Sequence, residues 1–478
     1  MISQQSKNLV IDLDGTLLKT DSLWELFFKA LSNGHLESFI WLLSGRAHFK
    51  NRLASSTELD LNILPWNQEV IDLARVSREK GGQVWLATAS DEILARKVTE
   101  HFDFFSGCIS SDGRQNLKGE AKALELVKRF GTGGFIYAGN SSADVKVWAA
   151  AGEAIVVGDS NLASKARQVN SNVTVLAPGS SSFLSFRPIL KVTRMHQWAK
   201  NFLLFVPLIM GHFFSWNALA KSAAGFLAFC FISSAGYILN DLLDIDSDRR
   251  HPEKRNRPFA SGSVDLPQGF FLFTVSLSAG LLVALIVGLP FLTVALLYFI
   301  AAALYSLSLK LVNIVDIVVL TLLYCLRVFA GGVATNVEIS QWLLSFSFFV
   351  FAALSLIKRL GELRRTSIEG TESNSRRPYE SNDAVFFLTL TSGCICSAVL
   401  TLAIYVGDAA AFSRYRSPEL LLLFCPVLFY WLARLLKLAD GGKMPYDPVF
   451  FTLTDKVSWF CLGLGILAYL LATIGVGQ

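Results

Sequence analysis

Residues 240–257 read Asn-Asp-Leu-Leu-Asp-Ile-Asp-Ser-Asp-Arg-Arg-His-Pro-Glu-Lys-Arg-Asn-Arg, an acidic run followed by a basic one, directly after a long apolar stretch. Asp241, Asp244 and Asp248 stand at i, i+3 and i+7, a spacing that puts three carboxylates on one helix face, and Asn240 lies one turn before Asp244. Hard oxygen donors grouped in this way suit Mg²⁺ carrying a phosphorylated ligand. A solvated helix end explains the polarity, but not three carboxylates on one face beside five cations. The stretch points to a diphosphate site where an apolar helix leaves a membrane.

Outward from it, the chain divides by solvent. It has 478 residues, of which 52% are hydrophobic, and its mean hydropathy of +0.45 averages two unlike parts. Residues 1–175 alternate short β-rich runs with charged helical stretches, the pattern of an α/β domain. A turn-rich stretch, Ala177-Pro178-Gly179-Ser180-Ser181-Ser182 followed by Arg187-Pro188, sets a linker at 176–189. Residues 190–478 form the second domain, strung with apolar runs of roughly twenty residues, the length that crosses a bilayer.

Nine spans are expected, at 201–214, 217–240, 267–288, 290–309, 315–334, 340–357, 384–406, 417–437 and 456–475. Lysine and arginine crowd the connections 241–266, 358–382 and 437–456, whereas 211–216, 335–339 and 407–416 carry only Arg414 and Arg416. The basic loops are therefore expected inside, with the carboxyl terminus outside. The first thirty residues lack the order of a secretory signal, so the first domain is expected in the cytoplasm, on a multi-pass protein of the plasma (inner) membrane. The seven cysteines show no disulfide or metal-ligand spacing and read as packing residues. A net charge of +5 is too modest to imply nucleic acid.

Further polar residues collect on the expected inner side. Tyr305, Ser306 and Lys310 close the fourth span, Asp316 opens the fifth, and Arg327 lies three turns further along that face. An arginine within a span must face the bundle interior, whether as half of an ion pair or as a ligand for substrate. The loop after the sixth span adds Lys358, Arg359, Glu362, Arg364, Arg365 and Arg376-Arg377-Pro378-Tyr379. Its guanidinium forks suit phosphates, although such runs also serve as a positive-inside signal.

At this point the second domain resembles a family. Asn240-Asp241-x-x-Asp244-x-x-x-Asp248 is similar to the first aspartate motif of UbiA-type intramembrane prenyltransferases, which implies an all-α bundle of nine transmembrane helices. Within that family the likeness is to the decaprenyl-phosphate phosphoribosyltransferase branch. It is carried by Arg194-Met195-His196-Gln197-Trp198-Ala199-Lys200-Asn201, by His251-Pro252-x-Lys254-Arg255-x-Arg257-Pro258, and by Tyr305-Ser306-Leu307-x-Leu309-Lys310 with Asp316. Met195 departs from that branch, which has proline there, and Pro378 replaces the glycine of an Arg-Arg-Gly-Tyr pattern. The family's second aspartate motif is here mostly arginine, as suits two phosphorylated partners. The resemblance implies phosphoribosyl diphosphate as donor and a polyprenyl phosphate as acceptor. Asp241, Asp244 and Asp248 would hold Mg²⁺ and act in catalysis. Arg194, Lys200, Asn201, Asn240, Lys254, Arg255, Arg257, Tyr305, Lys310, Asp316, Lys358, Arg376 and Arg377 would bind substrate.

The first domain carries its own signal. Leu9-Val10-Ile11-Asp12-Leu13-Asp14-Gly15-Thr16 is an apolar strand that ends on two carboxylates, where a parallel sheet meets its ligand crevice. Val84-Trp85-Leu86-Ala87-Thr88 ends on a hydroxyl, Lys122 opens a helix, and Phe135-Ile136-Tyr137-Ala138-Gly139-Asn140 leads to Asp144. In that order these resemble the four motifs of the haloacid-dehalogenase phosphatases, a Rossmann-like α/β fold with, here, a small helical cap over residues 20–75. The resemblance makes Asp12 the nucleophile, Asp14 the general acid/base and Thr88 a phosphoryl ligand. Lys122, with Lys118 as the other candidate, would balance charge; Asp12, Asp14, Asn140 and Asp144 would hold Mg²⁺. Asn140 stands where that family has aspartate, and its amide offers a carbonyl oxygen without charge.

Together these imply transfer followed by removal of the product's 5-phosphate. Two other readings stay open: an aromatic prenyltransferase that ionises a polyprenyl diphosphate, and a non-enzymatic transporter or scaffold. Chain length of the lipid and oligomeric state are not legible.

Overall fold

The computed structural model describes residues 8–35, 37–41, 46–111, 117–176, 186–369, 379–445 and 447–474. Its contacts form two compact units, Met1–Val192 with Ile238–Leu272, and Thr193–Tyr237 with Phe273–Gln478. The acidic and basic segment thus groups with the amino-terminal residues.

In the first unit six strands, β1 (Asn8–Ile11), β2 (Val84–Asp91), β3 (Phe105–Ser111), β4 (Phe135–Gly139), β5 (Glu153–Val157) and β6 (Val173–Leu176), make one sheet. Its order is β3-β2-β1-β4-β5-β6, and every neighbouring pair is parallel. Leu9, Val10 and Ile11 are all buried, as expected of a central strand covered on both faces, which is why β1 reads as an unbroken apolar run. The order reverses at β1 and β4, so the crevice beyond their carboxyl ends is where such a sheet binds ligands. After β1 come the helices Ser22–Ser32, Ser38–Trp41, Arg46–Ser56 and Gln68–Glu79, in the stretch expected to form a helical cap. Asp21 caps the first of these, accepting hydrogen bonds from the Leu23 and Trp24 amides.

Eight helices in the described residues are long and apolar enough to cross a membrane. They are α1 (Trp216–Leu243), α2 (Leu266–Val287), α3 (Leu289–Leu307), α4 (Val315–Thr335), α5 (Gln341–Glu369), α6 (Ala384–Val406), α7 (Phe424–Asp440, whose span counts from the 3₁₀ run Pro418–Leu423 before it) and α8 (Lys456–Ile474). These match eight of the nine expected spans. The first, at 201–214, differs: Met195–Phe205 is a 3₁₀ run and only Val206–Met210 is α-helical. Neither piece is among the helices long and apolar enough to cross a membrane. α5 also runs a further twelve residues past the expected end at 357, so Lys358 to Arg365 lie on a helix rather than in a loop.

Within the second unit, Leu356, Ile357 and Leu360 of α5 pack with Phe387 of α6 and Leu432 and Leu435 of α7. A second cluster joins Phe229 and Ile232 of α1 to Phe291, Ala295 and Tyr298 of α3 and Ala330 of α4. Large apolar side chains also face outward, with Ile286 81% and Leu289 69% exposed, surface that lipid would cover. All seven cysteines are free, as their spacing implies.

Candidate functional sites

Asp12 follows directly on β1 and Asp14 two residues later. Lys122, in the helix Glu120–Phe130, donates to Asp12 Oδ1 at 2.9 Å and to Tyr137 Oη at 3.0 Å. The Tyr137 hydroxyl in turn donates to Asp144 Oδ1 at 3.0 Å. Lys122, not Lys118, is therefore the cation at this carboxylate. Burial pushes the Asp12 carboxyl up, to about 7, against the downward pull of Lys122. Asp14 accepts from the Ser22 amide at 2.7 Å and from Ser90 Oγ at 2.7 Å. Thr88, fully buried in β2, accepts from the Ser90 amide at 3.0 Å.

Asn140 is set by backbone. Gly15 takes φ +71°, a strained conformation for any other residue, and a Cβ there would lie 1.9 Å from Asn140 Nδ2, so the carboxamide rests against this glycine and a larger residue would displace it. Asp144 accepts from the Asn140 amide at 3.2 Å and from the Ser141 amide and hydroxyl, both at 2.9 Å, on the oxygen not bound to Tyr137. Both its oxygens are committed to holding the loop after β4. Tyr137, Ser90 and Ser22 carry no sequence signal for the site they complete: Tyr137 sits inside an apolar strand, and neither serine belongs to a motif.

The second site is the acidic segment. Asp241 and Asp248 are 5% and 4% exposed, and Arg257 Nη1 lies between them, 3.3 Å from Asp241 Oδ1 and 2.7 Å from Asp248 Oδ2. The helix breaks at Asp244, which starts a six-residue helix Ile245–Arg250. The break keeps the backbone pattern, since the Asp244 amide bonds the Asn240 carbonyl at 2.9 Å and the Asp248 amide the Asp244 carbonyl at 2.8 Å. That continuity is why positions seven apart share one cation. Burial lifts the Asp248 carboxyl to about 6, opposed by Arg257. Asn240, Asp244 and Lys254 are half-buried nearby in sequence, and Arg255 is exposed.

Metal fit differs between the sites. Among the described residues no three His, Cys, Asp or Glu side chains converge closely enough to hold a metal ion. Mg²⁺, however, is commonly held by one or two carboxylates plus substrate phosphates and water. Asp241 and Asp248, already converging on a cation, fit that description. At the first site Asp12 and Asp14 supply the hard oxygens, with the Asn140 carbonyl as a third candidate.

In the second unit Lys200 pairs with Asp447, whose carboxyl burial pushes up and Lys200 pulls down, to about 2. The Arg194 guanidinium lies 5.5 Å from the Tyr237 ring. Asn201, fully buried, accepts from Arg327 Nε at 2.9 Å. Arg327 also donates to the Leu323 carbonyl at 2.8 Å and the Tyr298 hydroxyl. The buried arginine is thus held by an amide, a phenol and a carbonyl. Asp316 accepts from Arg359 Nε at 2.7 Å and from the Tyr379 hydroxyl, while Arg359 also reaches Glu362 at 2.8 Å and Tyr305 at 2.9 Å. Tyr305 and Asp316, expected as substrate ligands, are joined in one buried network around Arg359. Lys310 is buried and Lys358 half-buried. Arg376 and Arg377 lie outside the described residues.

A model of the UbiA prenyltransferase family matches residues 203–454. The uncharacterized protein y4nM of Sinorhizobium fredii is 36% identical over 97% of this chain and 90% of its own length. The nodulation protein NoeC of Azorhizobium caulinodans is 31% identical over 60% of this chain and 95% of its own. The decaprenyl-phosphate phosphoribosyltransferase of Corynebacterium glutamicum is 30% identical over 58% of this chain and 86% of its own.

Proposed function

Because the chain belongs to the UbiA prenyltransferase family, we propose that its membrane domain, residues 190–478, moves a 5-phosphoribosyl group from phosphoribosyl diphosphate to a polyprenyl phosphate. The observation that carries this is the convergence of two buried carboxylates, Asp241 and Asp248, on one cation. The name of the Corynebacterium relative supports a polyprenyl phosphate as acceptor and a phosphoribosyl group as what is moved.

In this reading an ionised oxygen of the lipid phosphate attacks the anomeric carbon. The new carbon–oxygen bond forms as the bond to diphosphate breaks, and diphosphate leaves with the electron pair. The nucleophile is already an anion, so no general base is needed. Asp241, Asp244 and Asp248 would hold Mg²⁺, which when bound supplies charge neutralisation at the leaving diphosphate. Lys200, Lys254, Arg255, Lys310 and Lys358 bind phosphate oxygens, and Arg257, which lies between Asp241 and Asp248, would bind the donor's diphosphate.

Residues 1–175 act as the phosphatase that removes the 5-phosphate of that product, from the cytoplasmic side. Asp12 attacks phosphorus while Asp14 protonates the leaving ribose oxygen; water then cleaves the aspartyl phosphate, giving its proton to Asp14. Lys122 and Thr88 hold the phosphoryl group, and Asp12, Asp14 and Asn140 would hold Mg²⁺ there. The pairing of Lys122 with Asp12 at the sheet's switch point supports this assignment.

Mass spectrometry of lipids formed by the purified protein from phosphoribosyl diphosphate, polyprenyl phosphate and Mg²⁺ tests both steps. The expected product is a polyprenyl-phosphoryl ribose without its 5-phosphate. A product that keeps the phosphate removes the phosphatase role. No product, from protein that instead joins a polyprenyl diphosphate to an aromatic acceptor, overturns the donor assignment.

A further inference from the structure

We propose that Glu25 and Lys29, in the amino-terminal domain, are positioning residues for the acidic segment of the transferase. The inference rests on the transferase reading above. The helix Ile245–Arg250 adds only six residues beyond the break at Asp244, so side-chain contacts with its neighbours set much of how firmly it is held. One of its sides carries Asp248, bound to Arg257. Asp246, Arg249 and Arg250, spaced as one helix face, meet the amino-terminal domain within the same compact unit.

Those contacts are specific in charge. Arg249 grips Glu25 with both guanidinium arms, at 3.0 and 2.6 Å, and the two side chains are 4% and 2% exposed. Lys29 pairs with Asp246, and Arg250 reaches Asp60 at 2.7 Å. Base meets acid in both directions, so a slip of either helix by one turn would set like charges together. Glu25 is itself fixed by the Thr20 hydroxyl at 2.6 Å, and Arg249 Nε by the Ala260 carbonyl at 3.1 Å. The far end of the basic segment is seated as closely: Gly262, at φ +69°, would place a Cβ 3.1 Å from Lys19 Cβ and 3.3 Å from Pro65. Trp24 packs on Phe270 with ring centroids 5.2 Å apart. The helix Ser22–Ser32 thus has its first amide on Asp14 and meets, through Glu25 in its first turn and Lys29 in its last, the segment that carries Asp248.

The test uses the full chain. Amide exchange is followed by mass spectrometry across residues 241–262, and transfer is followed from phosphoribosyl diphosphate to polyprenyl phosphate. Glu25→Gln strands a buried arginine, and both it and Lys29→Glu are expected to speed exchange of 245–250 and slow transfer, by roughly tenfold or more for Glu25→Gln. Lys29→Glu combined with Asp246→Lys restores the partly exposed pair and should recover both readouts. Exchange and transfer unchanged in Glu25→Gln overturn the proposal. So does faster exchange with undiminished transfer, or a charge swap that recovers neither. A wild-type protein without transfer removes the transferase reading and this inference with it; an active wild type with indifferent variants removes this inference alone.

Discussion

Replacing Arg359 with methionine tests whether the Tyr305 and Asp316 motifs hold the bundle together or hold substrate. Arg359 is 1% exposed and its partner Asp316 fully buried, in the middle of α5 and at the start of α4. The substitution removes three hydrogen bonds, to Asp316, Glu362 and Tyr305, and leaves Asp316 a buried carboxylate with the Tyr379 hydroxyl. Breaking one half of a buried pair costs about 3–5 kcal/mol, because the remaining charge is uncompensated. At about 2–4 °C per kcal/mol for a domain of this size, the thermal midpoint should fall by about 10 °C. Replacing both partners, Asp316→Leu with Arg359→Met, strands no fully buried charge, since Glu362 is partly exposed, and should recover about half of that loss. The assay is the fraction of detergent-solubilised protein that stays monodisperse after heating, read by size exclusion on tryptophan fluorescence. A single variant within about 2 °C of wild type, or a double variant less stable than the single, would refute the reasoning.

Two further outcomes follow from local geometry. Gly15→Ala forces a left-handed backbone at about 1–2 kcal/mol and drives a methyl into the Asn140 amide, so release of phosphate from a simple phosphomonoester should fall at least roughly tenfold while lipid transfer is kept. Equal loss of both activities would show that the first domain had unfolded instead. Arg257→Met leaves Asp241 and Asp248 without their shared cation, so millimolar Mg²⁺ should raise its thermal midpoint by about 3–5 °C more than that of wild type, and chelation should reverse the gain. Identical responses would mean that Mg²⁺ does not enter between these carboxylates.

Legibility followed locality. β1, β2 and β4 were readable because strands covered on both faces are apolar runs, and Asp12, Thr88 and Asn140 were readable because each ends such a run. β3, Phe-Ser-Gly-Cys-Ile-Ser-Ser, is a sheet-edge strand with polar interruptions and gave no such signal. The spacing of Asp241 and Asp248 survived the break at Asp244 because the backbone bonds on either side of it remain helical. Arg359 reads from sequence as part of a basic loop, since charge there suggests the end of a helix; its burial against Asp316 is a long-range fact, 43 residues apart in sequence. The grip of Glu25 on Arg249 spans 224 residues, beyond any periodicity. The 3₁₀ course of Met195–Phe205 likewise has no apolar period to distinguish it from an α-helix.

The meeting of helix Ser22–Ser32 with helix Ile245–Arg250 also bears on why these domains share a chain. The two helices share two ion pairs, Glu25 with Arg249 and Lys29 with Asp246, and between separate molecules a contact of that size would form only weakly. Tethering makes the encounter intramolecular, at an effective concentration in the millimolar range, whatever the amount of protein in the cell. A membrane domain made alone would present Asp246, Arg249 and Arg250 with their partners missing, and how firmly its acidic segment was held would depend on whatever else it could recruit.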